Sequence, residues 1–143
     1  MNQTMILAFE FVKSIPEKLE NRILYVSMDY ATAMHKCCCG CGREVVTPLS
    51  PTDWKLIYDG VSVSLSPSIG NWSFDCQSHY WIVENSVRWA DKWSGEEIAA
   101  GRAHDLQAKD SYFTAEDKMG VEKVTRRRLR SGFWSRLWER LLR

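Results

Sequence analysis

The stretch His35-Lys36-Cys37-Cys38-Cys39-Gly40-Cys41-Gly42 restricts this chain more than any other, because it packs four of the five cysteines into five positions. Neighbouring cysteines cannot each reach a separate, well-placed disulfide partner. An odd cysteine count and an N-terminus whose short apolar run is broken by Glu10, with no small-residue cleavage site after it, point to a reducing, cytoplasmic setting. A dithiol redox motif belongs at a strand-to-helix junction, whereas strand-like sequence flanks this one. Buried free cysteines acting as small hydrophobes are the bland alternative, and the sharper reading is a metal whose coordination is closed from a distant segment. Cys76-Gln77-Ser78-His79 offers that second arm, with a two-residue gap typical of zinc sites.

If residues 35–41 are extended, alternate side chains share a face, so His35, Cys37, Cys39 and Cys41 point one way and Cys38 the other. Gly40 and Gly42 allow the tight curl of a zinc knuckle. This reading gives Cys37, Cys39, Cys41 and Cys76 as zinc ligands. A rival set, Cys38, Cys41, Cys76 and His79, has two-residue gaps on both arms. A shell of four thiolates saturates zinc and is structural, whereas three ligands leave a position for an activated water.

The first ninety residues are rich in β-branched and aromatic residues with period-two patterning: MILAFEF, RILYVSM, EVVTPL, WKLIYDGVSVSL and HYWIVENSVRWA. Asp59-Gly60 predicts a type I′ hairpin and Glu84-Asn85-Ser86 a second hairpin. Pro16 suits the first turn of a short helix or turn over 15–22. From Ser94, an N-cap with Glu96 and Glu97 in the first turn predicts a helix, despite Gly101. SYFTAEDKMGVEKV is linker-like, and the basic RRRLRSGFWSRLWERLLR places Leu129, Phe133, Leu137 and Leu141 on one helical stripe, with Trp134 and Trp138 beside it. The expected fold is α+β: a small, mainly antiparallel β domain whose zinc site joins two hairpin arms, followed by C-terminal helices. Its parts are residues 1–93 as the zinc-binding β domain, 94–120 as helix and linker, and 121–143 as the basic amphipathic helix. At 143 residues and 45% hydrophobic, the chain can fill one core. A net charge of +1 gives no reason to expect nucleic acid. No apolar run reaches the roughly 18–20 residues of a membrane span; the basic tail can pack or dock on a partner, lie on an anionic membrane surface or grip nucleic acid, and its aromatic stripe argues against a simple phosphate clamp.

Between the cysteine arms lie TPLSPTDW and SLSPSIGNWSF, dense in Ser, Pro, Asn and Trp. Serines in such steps are usually turn formers. The sharper reading makes Ser68 a nucleophile, with Gly70 supplying flexible backbone that aims amides at an oxyanion. If thiolates complete the zinc shell, His79 is free as general base, with Asp53 or Asp75 to orient it. If His79 is itself a ligand, that pair dissolves. The tryptophans at 54, 72, 81, 89 and 93 read as core and rim packing, and His104 as a solvated helix residue.

From His35 to Ile82 the chain resembles a bacterial and phage family, the domain of unknown function number 6527. The matching elements are the His-x-Cys-x-Cys-Gly-Cys-Gly arm, the PLSP step, the SLSPSIGNW segment and the Cys-Gln-Ser-His-Tyr-Trp arm, which together carry His35, Cys37, Cys39, Cys41, Ser66, Ser68, Cys76, Ser78 and His79. Cys38 falls at a variable position of that pattern. The resemblance covers about residues 8 to 90. It implies a peptidase of bacterial ubiquitin-like conjugation operons that processes or removes the ubiquitin-like protein. The expectation is a zinc-containing hydrolase with Ser68 and His79 as the reacting pair beside a structural zinc. The alternatives are a peptidase using zinc-bound water and a non-catalytic zinc module that binds a partner protein.

Overall fold

Strand-forming sequence gives way to helix-forming sequence near Ser94, and the architecture changes at the same place. The computed structural model describes residues 4–141, with side chains as far as Arg127. Eight strands come first: β1 (Ala8–Phe11), β2 (Ile23–Ser27), β3 (Thr32–Lys36), β4 (Glu44–Pro48), β5 (Lys55–Tyr58), β6 (Val63–Gly70), β7 (His79–Val83) and β8 (Ser86–Trp89). They form two four-stranded sheets in sequence order, β1-β2-β3-β4 and β5-β6-β7-β8. Every pairing is antiparallel except β1 with β2. One helix, α1 (Gly95–Leu141), follows. Residues Met1–Ala99 form one compact unit and Ala100–Arg143 a second.

The strands alternate as half-buried strands should. In β4, Val45 and Thr47 are buried between exposed Glu44, Val46 and Pro48. Both sheets contribute to one core: Leu24, Val26, Ala33 and Val45 from the first pack with Val63, Leu65, Ile69, Tyr80, Ile82 and Val87 from the second. Full burial of each large apolar side chain contributes about 1.5–3 kcal/mol. The N-terminal segment also joins the two sheets. Leu7 N–H donates to the Asn85 carbonyl and Val87 N–H to the Met5 carbonyl, both at 2.8 Å, before the chain continues into β1 beside β2.

Both expected hairpins form, but the type I′ geometry expected at Asp59-Gly60 is found at Glu84-Asn85 instead. Val83 faces Ser86, and the two residues between them, Glu84 (φ 48°) and Asn85 (φ 64°), are both left-handed, the geometry of a type I′ turn. At Asp59-Gly60, Tyr58 faces Val63, so the loop has four residues and only Gly60 is left-handed. The reason is the Asp59 carboxylate. It accepts the Val61 and Ser62 amides at 2.8 and 2.6 Å and the Ser62 hydroxyl at 2.8 Å, which favours a wider turn than two residues allow.

Of the short helix or turn expected over 15–22 the turn forms, and the linker-like reading of 111–124 needs correcting. Residues 15–20 form no helix; the segment runs through bends to a turn at Asn21-Arg22, held by buried Leu19. The linker-like stretch 111–124 is helical throughout. Its Ser and Thr hydroxyls bond the carbonyls four residues back (Ser111 to Gln107, Thr114 to Asp110, Thr125 to Val121), and Tyr112 and Arg126 reach Glu116 and Glu122 across one turn. These contacts satisfy polar groups that would otherwise compete with the helix. The start at Ser94 is a capping box: Ser94 Oγ accepts the Glu97 amide and Glu97 Oε2 accepts the Ser94 amide. His104 is solvent-exposed, as expected. No helix among the described residues is long and apolar enough to cross a membrane. The tail stripe from Leu129 to Leu141 lies outside the described side chains.

Candidate active site and cysteine cluster

Strand β3 ends at Lys36, and the cysteines after it are in a turn rather than an extended strand. Gly40 N–H donates to the Cys37 carbonyl at 3.1 Å and the Cys41 amide to Cys39 Sγ at 3.4 Å. Gly40 (φ 87°) and Gly42 (φ 81°) are left-handed, so this knuckle curls where a Cβ would strain it. Cys76 reaches it from the loop between β6 and β7. Sγ separations are 3.4 Å for Cys37–Cys39, 3.8 Å for Cys37–Cys76 and 3.9 Å for Cys41–Cys76, and all four sulfurs lie within 4.8 Å of one another. Four thiolates at about 2.3 Å from a tetrahedral ion would lie about 3.8 Å apart. The cluster therefore fits a metal ion in size and donor chemistry. The extended conformation expected for residues 37–41 is not adopted; the turn, not strand alternation, brings these sulfurs together.

Of the rival set, Cys38 and His79 lie outside the cluster, as does His35. Cys38 is buried in the core, and burial pushes its thiol up to about 12. His35 is fully buried and bonds Tyr80 Oη through Nε2 at 2.8 Å; burial lowers its pKa to about 4 and keeps it neutral. Around the sulfurs, Ser78 Oγ lies 3.0 Å from Cys37 Sγ and accepts Asn71 Nδ2–H at 2.9 Å. Asn71 also reaches Tyr80 Oη at 3.4 Å. A buried polar chain thus runs from the cluster to His35. Burial raises the Cys37 thiol. Cys76 is held low, to about 7: desolvation opposes this, but hydrogen bonds from the Ser78 hydroxyl and amide and from the neighbouring thiols outweigh it. Outside the cluster, Arg43 pairs with Asp75 at 3.5 Å and lies over the Phe74 ring.

Ser68 owes its position to an irregular β6. Leu65 faces Ile82, and Ile69 faces Tyr80, so β6 spends two more residues than β7 between these pairs. The extra length, Ser66-Pro67-Ser68, bulges out of the ladder, as bulges near reactive sites do to aim a side chain. Ser68 Oγ lies 2.9 Å from His79 Nε2. His79 Nδ1 lies 2.8 Å from the main-chain carbonyl of Asp91. A carbonyl only accepts, so Nδ1 carries the proton and Nε2 presents its lone pair to the Ser68 hydroxyl. Both ring nitrogens are engaged, by groups other than the sulfurs.

A serine hydroxyl on the basic nitrogen of a buried, oriented histidine is an arrangement that nucleophilic acyl transfer can use. The family model described as bacterial ubiquitination-like system serine protease (BubE) matches residues 11–90. The chain belongs to the BubE family. It matches no curated protein and no solved structure. The match encloses Ser68, His79 and all four clustered cysteines, and a place in a ubiquitination-like system implies protein partners for this BubE member.

Several site features of this BubE chain escape sequence reasoning. Neither Asp53 nor Asp75 orients His79: Asp53 accepts the Ser50 hydroxyl at 2.6 Å and Asp75 pairs with Arg43. The orienting group is a main-chain oxygen, which has no residue-type signature. Gly70 is paired with His79 in the ladder and is not left-handed; a Cβ there would overlap the Trp72 indole, so the glycine supplies room rather than flexibility. Three tryptophans read as packing surround the His79 ring, with centroids at 4.9 Å (Trp72), 5.7 Å (Trp81) and 5.2 Å (Trp93). Their density around a histidine was the available signal.

Proposed function

We propose that this protein is a zinc-containing serine peptidase that cuts at or near the C-terminus of a ubiquitin-like protein, processing it or removing it from a target. The observation that carries the reading is the Ser68 Oγ to His79 Nε2 contact of 2.9 Å, with the far ring nitrogen fixed by the Asp91 carbonyl. Ser68 Oγ attacks the scissile carbonyl while its proton passes to His79 Nε2. His79 then gives that proton to the leaving amine, and an acyl-serine remains. Water attacks this ester with His79 as base, releasing the new carboxylate and restoring the serine. Cys37, Cys39, Cys41 and Cys76 would hold zinc, which supplies cross-linking of the two arms and, with four thiolates bound, keeps no open position for substrate.

On this reading the numbered domain of unknown function and the matched family are one domain. The chemistry belongs to residues 1–93, in the cytoplasm of bacteria or in phage, and the basic C-terminal helix serves docking. The test is incubation with a ubiquitin-like protein extended at its C-terminus. Ser68→Ala should lower cleavage by at least about 10³-fold while leaving metal content intact. Loss only on chelation, with the fold retained, would favour zinc-bound water. No cleavage by the intact protein under any condition would favour a binding module.

A further inference from the structure

The reactive histidine is held in part by a segment that is neither strand nor helix. Residues 90–94 link β8 to α1. They are tied to His79 at three levels: Ala90 N–H donates to the His79 carbonyl at 2.8 Å, the Asp91 carbonyl accepts from Nδ1 at 2.8 Å, and the Trp93 indole meets the imidazole edge-on. Trp93 also stacks on Trp72, with centroids 5.4 Å apart and planes 19° from parallel. The other two walls of the imidazole come from elsewhere: Trp81 lies on β7 itself, and Trp72 is seated over Gly70. Trp93 is the wall that the strap supplies. Both Asp91 and Trp93 lie beyond residue 90, where the family match ends.

We propose that Trp93 is a positioning residue, which by stacking on Trp72 clamps the 90–94 strap and keeps the Asp91 carbonyl on His79 Nδ1. The inference rests on the reading of Ser68 and His79 as the reacting pair. A neutral imidazole has two tautomers, and only the one protonated at Nδ1 leaves Nε2 free to take the serine proton. Removing the indole frees the strap, lets the carbonyl drift, and leaves the ring free to rotate and exchange tautomers. A displacement of about 1 Å in a reacting group lowers turnover by about 10²-fold without any need to weaken substrate binding.

The experiment compares Trp93→Ala, Trp93→Phe and a Lys92→Ala control in the full chain, using a C-terminally extended ubiquitin-like protein as substrate. Trp93→Ala should lower kcat by about 10²-fold with KM within about threefold. Trp93→Phe, which keeps a stacking ring, should recover to within about fivefold of the parent, and Lys92→Ala should match it. Long-range nitrogen-15 spectra of the intact protein supply a readout that needs no cleavage: His79 should show a fixed Nδ1–H tautomer in the parent and an averaged signature in Trp93→Ala. A raised KM at unchanged kcat, or a fixed tautomer in Trp93→Ala, would overturn the positioning role. Activity that survives Ser68→Ala would instead overturn the serine reading, while the tautomer spectra would still decide what Trp93 does to His79.

Discussion

Gly70→Ala isolates the claim that this glycine exists for volume. Gly70 sits in the β6–β7 ladder opposite His79 with an ordinary backbone, so alanine brings no conformational penalty. Its Cβ would instead overlap the Trp72 indole, which must move. Overpacking of this kind costs about 1–3 kcal/mol. For a unit of about a hundred residues that lowers Tm by about 5–20 °C. Because Trp72 touches both His79 and Trp93, its displacement should also cut cleavage by about 10²-fold. Thermal unfolding read together with cleavage gives both numbers. The decisive arm is a double-mutant cycle: in a Trp72→Ala background the overlapping indole atoms are gone, so Gly70→Ala should there cost less than about 0.5 kcal/mol. An equal loss in both backgrounds would refute the volume argument.

Ser78→Ala removes the hydroxyl between Cys37 and Asn71, leaving the Asn71 amide without its shortest bond. Stability should fall by about 1–3 kcal/mol and metal affinity by about 10–100-fold, measured by unfolding and by competition with a metal-binding dye. Metal retention should weaken as pH falls: burial raises Cys37, and desolvation beside the other thiols pushes Cys39 up to about 12. Both are therefore protonated at neutral pH without an ion, and each such thiol should lower apparent affinity about tenfold per pH unit of acidification. The same dye titration between pH 6 and pH 8 checks the slope. Ser94→Ala deletes half of the capping box and should cost the helix start about 1 kcal/mol, seen as faster amide exchange at residues 95–98 with cleavage retained.

The sequence revealed what depends on residue type and hid what depends on backbone path. The cysteine arms, the two hairpins and the Ser94 cap are written in residues whose chemistry admits few uses. The wide Asp59 turn was missed because the carboxylate's local bonds outweighed the dipeptide preference. His35 shares strand parity with Cys37, Cys39 and Cys41, yet β3 ends at Lys36 and His35 remains in the core. Ser68 and His79 could be named as a pair only by elimination; what brings them together is a two-residue mismatch in a ladder, and no single residue announces it. The stretch 111–124 looked like a linker because its Ser, Thr and Gly are poor helix formers alone, whereas back-bonding to the preceding turn satisfies the hydroxyls.

The order of the cysteines along the chain imposes a timetable. Cys37, Cys39 and Cys41 emerge from a ribosome almost together, and Cys76 follows 35 residues behind Cys41. An ion caught by the first three would remain exchangeable until β6, with Ser68 on it, had been made and the last thiol had arrived. His79 comes three residues later. On the proposed reading, a nascent chain would therefore lack both a fully coordinated ion and the histidine partner of Ser68 until the β6–β7 loop and His79 had been made.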